Sequence, residues 1–409
     1  MKKSDTNPPW ICCQLGAREN YSIPRALHSA GKLHALITDA WIPPGSLWTK
    51  LPSKRLSERY HSSLHSAAVH AHNLSGVIAE MLRRRRLRGW DLVIARNAWF
   101  QEKVVRQLQK LTADGKNDQP AILFSFSYTA AKPFEFAKKL GWTTVLGQID
   151  CGPSQQELVQ QLRIRYDGQN TSRQSPASSY WNNWRKELVL ADKIIVNSQW
   201  SREHLLKEGV AESKIAVIPL AYQPSSDSVG FERKYPEAFT ASRPLRVLFL
   251  GQFNFHKGAV PVLEAMHELQ DEAIEFYIVG PRLVDIPDEY LRLPKVRWIG
   301  SVPRGEVAEW YRQADVFLFP TFSDGFGLTQ LEAQSWKLPV ISSRFCGEVV
   351  RDGQNGIILR EVTAAAICES LRVCCRDSKQ LMAYAEKSAA MSDFSIPCLA
   401  KLLQTAVIT

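Results

Sequence analysis

Val316-Phe-Leu-Phe-Pro-Thr-Phe-Ser-Asp-Gly-Phe-Gly-Leu-Thr-Gln-Leu-Glu-Ala-Gln-Ser-Trp-Lys-Leu-Pro-Val-Ile-Ser342 reads as a strand, an acidic loop, a helix and a second strand. Val316 to Phe319 is apolar enough for a buried parallel strand, and Pro320, Gly325 and Gly327 break its regularity before Leu328 to Trp336 resumes helical spacing. The loop therefore ends at a helix N-terminus. Amides from Phe326 to Leu328 are expected to face whatever sits above the strand, where the positive end of the helix dipole favours a phosphate. Asp324 in the loop and Glu332, eight positions later on the helix, frame that space with two carboxylates.

The same pattern occurs upstream. Leu245-Arg-Val-Leu-Phe-Leu-Gly-Gln-Phe-Asn-Phe-His-Lys-Gly-Ala-Val-Pro-Val-Leu-Glu-Ala265 runs from a buried-type strand through a glycine-containing turn into a helix. Phe276 to Gly280 and Val296 to Val302 read as further strands, with a short helix from Glu306 to Arg312. In the first half, strands are read at Trp10 to Gln14, His34 to Thr38, Leu92 to Ala95, Ala121 to Phe126 and Thr143 to Leu146. Helices are read at Ile23 to Ala30 and Pro133 to Leu140. Such alternation argues for an α/β protein whose parallel sheets are covered on both faces. The turn Gln14 to Tyr21, carrying Gly16 and Glu19, belongs at the carboxyl edge of its sheet, where ligands of such folds bind. At 409 residues the chain exceeds what one core supports. The polar, breaker-rich stretch Gln223 to Gly230 offers a boundary.

These segments resemble the retaining GT-B glycosyltransferases, in particular glycosyltransferase family 4. The family signature Glu-x7-Glu-Ala with a later Pro-Val-Ile is met by Asp324, Glu332, Ala333 and Pro339-Val340-Ile341, with Asp324 in place of the first Glu. The family's Gly-Arg and Lys-Gly pairs are met by Gly251 and by Lys257-Gly258, with Gln252 in place of the Arg. Arg344 is a candidate to compensate for that missing cation. Arg344 and Phe345 stand where many relatives carry a Gly-Gly pair, and Gly347 to Gly356 matches the family's following segment. The stretch Glu187 to Ser198, with Val217-Ile218-Pro219, looks like the end of the family's first domain.

The resemblance implies a GT-B fold, two Rossmann-like domains with parallel sheets facing a central cleft. The first, residues 1–225, would bind the acceptor; the second, residues 243–393, would bind a nucleotide-sugar; a C-terminal helix, 394–409, would pack back on the first. It implies transfer of a sugar, of the hexosyl type and with retention, from a nucleoside diphosphate to an acceptor hydroxyl in polysaccharide or glycolipid biosynthesis. Lys257 and the amides of Gly325, Phe326, Gly327 and Leu328 would meet the diphosphate, Asp324 the sugar, Glu332 the ribose, and Val302 and Pro303 the base, with Gly251 and Gln252 nearby. Asp324, Lys257 and Glu332 would carry catalysis. Gly16, Glu19 and Asp150 are acceptor-side candidates. No cofactor or metal is implied, and the chain lacks the Asp-x-Asp signature of metal-dependent glycosyltransferases of another fold. Gln252, Asp324 and Arg344 leave room for a catalytically silent nucleotide-sugar-binding subunit, and the architecture for an epimerase or phosphorylase.

Charge is uneven along the chain. Residues 1–225 hold 31 Lys and Arg against 18 Asp and Glu, whereas 226–409 hold 20 against 23. The densest basic run, Arg83 to Arg88, follows an apolar helix candidate, Leu74 to Leu82, a pairing that suits an anionic membrane surface. No nucleic-acid-binding motif accompanies it. No apolar run reaches the ~20 residues needed to span a bilayer, and Met1 to Pro9 is polar, so a cytoplasmic protein, peripheral at the inner membrane face, is expected. The eight cysteines lack metal-ligand spacing and are expected to be reduced core residues. Residues 170–180 read as a loop, His256 as solvent-facing, Asp150 as a loop-capping residue, and Tyr180, Trp181 and Trp184 as helix packing.

Overall fold

The computed structural model describes residues 8–46, 58–113, 120–167, 176–388 and 391–408. The first sheet has strands β1 (Trp10–Gln14), β2 (Leu33–Thr38), β3 (Val69–Ala71), β4 (Ile122–Phe126), β5 (Thr143–Gly147), β6 (Lys193–Val196) and β7 (Ile215–Val217). The second has β8 (Leu245–Leu250), β9 (Ile274–Val279), β10 (Val296–Gly300), β11 (Val316–Phe319), β12 (Val340–Ser343) and β13 (Gly356–Leu359). Their orders are β3-β2-β1-β4-β5-β6-β7 and β10-β9-β8-β11-β12-β13. Every pairing in both sheets is parallel. Each order reverses direction between its first and fourth strands, leaving a crevice at the carboxyl ends there.

Apolar side chains above and below each sheet make the cores. Phe100, Val104 and Leu108, four residues apart, form the buried stripe of the helix Gly89–Ala113 and pack with Ile11, Leu123 and Phe134. In the second sheet Val247, Phe249, Ile278 and Leu318 pack beneath the helices Ala259–Glu268 and Ala364–Arg376. The last helix, Ile396–Ile408, lays Leu399, Ala400 and Leu403 against Trp10, Tyr21 and Leu27 of the first sheet. Six of the eight cysteines are buried and none is in a disulfide.

Two local readings are corrected. Leu92 to Ala95 is not a strand but part of the helix Gly89–Ala113, because its short apolar run continues into the helical stripe at Phe100, Val104 and Leu108. Ser178 to Tyr180 opens the helix Ser178–Leu190 rather than ending a loop, since Tyr180 and Trp184 share one face; residues 170–175 lie outside the described residues. The three-residue β3 left no legible period in the sequence.

Candidate active site

The crevice of the second sheet lies between β8 and β11, which pair at Val316 with Val247. Gly251 and Gln252 follow β8, and the chain turns through a short 3-10 segment, Phe255–Lys257, into Gly258. Gly258 has φ +82°, and a Cβ there would overlap the Pro320 carbonyl oxygen, so only glycine allows the two loops to touch at this point. The carbonyl of His256 then accepts from the Phe322 amide (2.7 Å) and the Thr321 hydroxyl (3.0 Å). This contact brings together residues that are 67 positions apart: Lys257 Nζ forms an ion pair with Asp324 Oδ2 and lies 5.1 Å from the centre of the Phe319 ring.

The amides expected to meet a phosphate are not equivalent. The Phe326 amide already donates to Asp324 Oδ1 (3.1 Å). Those of Gly327 and Leu328 make no hydrogen bond among the described residues. The helix behind them, Thr329–Ser335, has only seven residues, so the two amides themselves, rather than a long helix dipole, are the donors on offer. Glu332 sits in its first turn and accepts from Tyr311 Oη (2.8 Å) through Oε2, leaving Oε1 without a partner among the described residues. Burial raises the Glu332 pKa, while the Tyr311 hydroxyl and the Arg304 charge oppose that shift.

Other candidates lie around this centre. Gln252 is exposed and within 3.5 Å of the Asn254 side-chain amide. Val302 and Pro303 follow β10; Val302 packs against the cluster under the sheet and Pro303 is exposed. Arg344 is exposed, its guanidinium over Phe345.

Loops at the carboxyl end of the first sheet meet this site. Gly325 packs so tightly on the Ile149 carbonyl that a Cβ would overlap it. The Gly325 carbonyl accepts from Ser198 Oγ (2.8 Å) and Ser201 Oγ (3.4 Å), and Trp200 Nε1 donates to Ser323 Oγ (3.1 Å). Gly16 follows β1 and donates its amide to Asp39 Oδ1 (2.8 Å). Glu19, Asn20 and Tyr21 all hold positive φ, from 51° to 59°, an uncommon run for residues with side chains. Glu19 Oε2 accepts from Ser22 Oγ (3.0 Å), and burial raises the Glu19 pKa against the Arg18 charge.

Asp150 follows β5 and does cap its loop: Oδ1 accepts from the Gly152 amide (2.9 Å) and from Tyr128 Oη (2.6 Å). It also lines a cavity of about 310 Å³ between the sheets, walled by Trp90, Tyr128, Tyr180 and Trp181 and closed from the second sheet by Asn254, Phe255 and His256. His256 is therefore a cleft residue rather than a solvent-facing one, and burial with the Lys257 charge pushes its pKa down to about 4, leaving it neutral at neutral pH. Of the aromatic trio read as helix packing, Trp184 is core, while Tyr180 and Trp181 face the cavity. Trp90 and Tyr128 were missed by sequence reasoning. Trp90 opens a helix misread as a strand, and no local pattern marks Tyr128.

Residues 244–377 match the family described as glycosyl transferases group 1. This group 1 match spans β8 to β13 and contains Lys257, Asp324 and Glu332. An uncharacterized 41.2 kDa protein in cps region of Klebsiella pneumoniae is 26% identical over 224 residues, covering 52% of this chain and 61% of that protein. A D-inositol 3-phosphate glycosyltransferase of Corynebacterium kroppenstedtii is 26% identical over 220 residues, covering 48% and 49%. The chain thus spans about half the length of these curated relatives. Anabaena Alr3699/HepE, solved in complex with UDP and glucose, superimposes with a TM-score of 0.62 at 13% identity, covering 98% of this chain and 100% of that one. The fold is that of the GT-B glycosyltransferases.

Proposed function

We propose that the protein transfers a hexosyl group, with retention, from a nucleoside-diphosphate sugar to an acceptor hydroxyl in polysaccharide or glycolipid assembly. The observation that carries this reading is the Lys257–Asp324 ion pair at the crevice of the second sheet, beside two unpaired amides and inside the group 1 match. Binding of UDP by HepE supports the class of donor. In the reaction the sugar C1–O bond breaks and its electron pair leaves with the diphosphate. Lys257 exchanges the Asp324 carboxylate for phosphate oxygens, and the Gly327 and Leu328 amides add two hydrogen bonds where charge grows, the preorganised electrostatics that supplies much of enzymatic rate. Asp324, released from the lysine, accepts from sugar hydroxyls, and Glu332 Oε1 accepts from the ribose. These groups support the leaving diphosphate without a divalent ion. The acceptor oxygen attacks C1 from the face the diphosphate leaves, and its proton passes to a departing phosphate oxygen, giving a glycoside and a nucleoside diphosphate. Retention rests on the resemblance to the retaining GT-B glycosyltransferases.

An anionic membrane surface is the partner proposed for the first half, supported by the exposed helix Asn73–Arg86. Among the described residues no helix is long and apolar enough to cross a membrane. The donor is tested by thermal denaturation with UDP-, GDP-, ADP- and dTDP-linked sugars, since a ligand that binds only the folded state raises Tm. One class is expected to raise Tm, and Lys257→Ala and Glu332→Ala to abolish the rise. No shift with any donor at millimolar concentration on folded protein would overturn the reading.

A further inference from the structure

Glu332 is held from a helix other than its own. Tyr311 lies in the helix Val307–Gln313, its ring buried with its centre 5.9 Å from that of Phe317, and its hydroxyl donates to Glu332 Oε2 (2.8 Å). Burial, with the Glu332 charge beside it, raises the Tyr311 pKa well above the usual phenol range, so the hydroxyl keeps its proton and the carboxylate is the acceptor. No other donor reaches Oε2 among the described residues. A glutamate side chain samples several rotamers and loses entropy when it is ordered. With Oε2 occupied, that ordering takes place on folding rather than on binding, and Oε1 is the oxygen left for a ligand.

The two helices are themselves tied together. Arg233 is buried and lies just beyond the boundary stretch Gln223 to Gly230. Its guanidinium donates to the carbonyls of Tyr311 (2.8 Å), Arg312 (3.3 Å) and Ala314 at the end of the helix Val307–Gln313. It also donates to those of Trp336 (2.9 Å) and Lys337 (3.1 Å), where the helix Thr329–Ser335 that carries Glu332 ends. Helix C-termini leave carbonyls without intrahelical donors, and one guanidinium, its N–H groups set in a rigid fork, serves both ends. The position of Tyr311 against Glu332 is thereby fixed at the backbone as well as at the side chains. The helix of Tyr311 also follows the turn of Val302 and Pro303, so the carboxylate is held from the side assigned to the base.

We infer that Tyr311 is a positioning residue whose hydroxyl fixes Glu332 so that Oε1 accepts from a ribose hydroxyl of the donor nucleotide. The inference rests on the transferase reading, which puts the ribose at Glu332. A nucleotide without ribose hydroxyls gives Glu332 no donor, so its binding does not depend on how the carboxylate is turned.

The test is isothermal titration of the full chain with UDP, GDP, ADP and dTDP, each beside its 2′,3′-dideoxy analogue. The wild type is expected to bind one of these diphosphates more tightly than its dideoxy analogue. Tyr311→Phe keeps the ring and removes only the hydroxyl. It should weaken that nucleotide about three- to tenfold, the scale of one hydrogen bond, and leave the dideoxy analogue within about twofold of the wild type. Binding of the analogue also shows that the site of the variant is folded. If Tyr311→Phe weakens both nucleotides alike, as loss of a merely structural residue would, or weakens neither, this inference is overturned and the transferase reading stands. Equal binding of a nucleotide and its dideoxy analogue by the wild type removes the ribose from Glu332, and no binding of any diphosphate at millimolar concentration removes the transferase reading; either takes this inference with it.

Discussion

Glu187 shows how one buried carboxylate sets the geometry of the cleft. Its Oε2 accepts from the Tyr128 amide (2.6 Å) and its Oε1 from the amides of Ala130 (2.8 Å) and Ala131 (3.2 Å). It thereby holds Tyr128 in a left-handed conformation, φ 73°, with the hydroxyl on Asp150. Burial pushes the Glu187 pKa up to about 8 against those three hydrogen bonds. Between about pH 4.5, its ordinary value, and about pH 8 the unfolded chain has ionised this group and the folded chain has not. Its contribution to stability is therefore full in acid and is lost as pH rises through that window, at no more than about 1.4 kcal/mol per pH unit. Glu187→Gln cannot titrate. The Tm of the variant minus that of the wild type should climb across the window and level off above it; a flat difference would contradict the assignment.

Among the elements, the 14-residue helix Asn73–Arg86 has no buried residue. Leu74, Ile78, Met81 and Leu82, spaced as one helical stripe, are 49% to 63% exposed. Glu80 pairs with Arg84 (2.6 Å) and Arg96 (2.5 Å), and Arg83 lies over Trp99, whereas Arg85 and Arg86 are exposed without a partner among the described residues. An apolar stripe beside free cations matches the interfacial region of an anionic bilayer. In vesicle flotation the protein should bind phosphatidylglycerol vesicles and not phosphatidylcholine ones. At roughly 1 kcal/mol per basic residue, removing Arg85 and Arg86 should weaken binding roughly tenfold or more, and Ile78→Gln with Met81→Gln should abolish it. Equal binding to both vesicle types would remove the membrane from the proposed function.

At the scale of the whole molecule, the two sheets are joined by small polar contacts between loops at the carboxyl ends of their strands. Trp200 reaches Ser323 and lies tilted against Phe345 (ring centres 4.8 Å apart), Ser198 holds the Gly325 carbonyl, and the Gln199 amide donates to Glu348 (2.9 Å). Ser323 and Gly325 belong to the loop that carries Asp324, so these contacts tie the first sheet to that loop. Trp200→Ala with Ser198→Ala should therefore raise the radius of gyration in solution scattering and lower turnover at saturating donor, while shifting stability by only about 1–2 kcal/mol. Unchanged scattering and unchanged turnover would show that these contacts do not govern closure. Much of the second sheet was legible in the chain, because strand, breaker and helix signals are local: Val316 to Ser342 and Leu245 to Ala265 announced both loops of the crevice, and Lys257, Asp324 and Glu332 stood out within them. Periodicity gave less in the first half, where a short apolar run at Leu92 to Ala95 hid inside a longer helix and β3 was too brief to show a period. The pairing of Lys257 with Asp324, the capture of the Phe326 amide by Asp324 and the aromatic wall of Trp90, Tyr128, Tyr180 and Trp181 came only from the tertiary structure. Sequence alone determined that this chain makes two parallel α/β units with a loop suited to an anion, since those depend on the order of neighbouring residues. Tertiary structure decided which side chains share the cleft, since that depends on packing between residues tens to hundreds of positions apart.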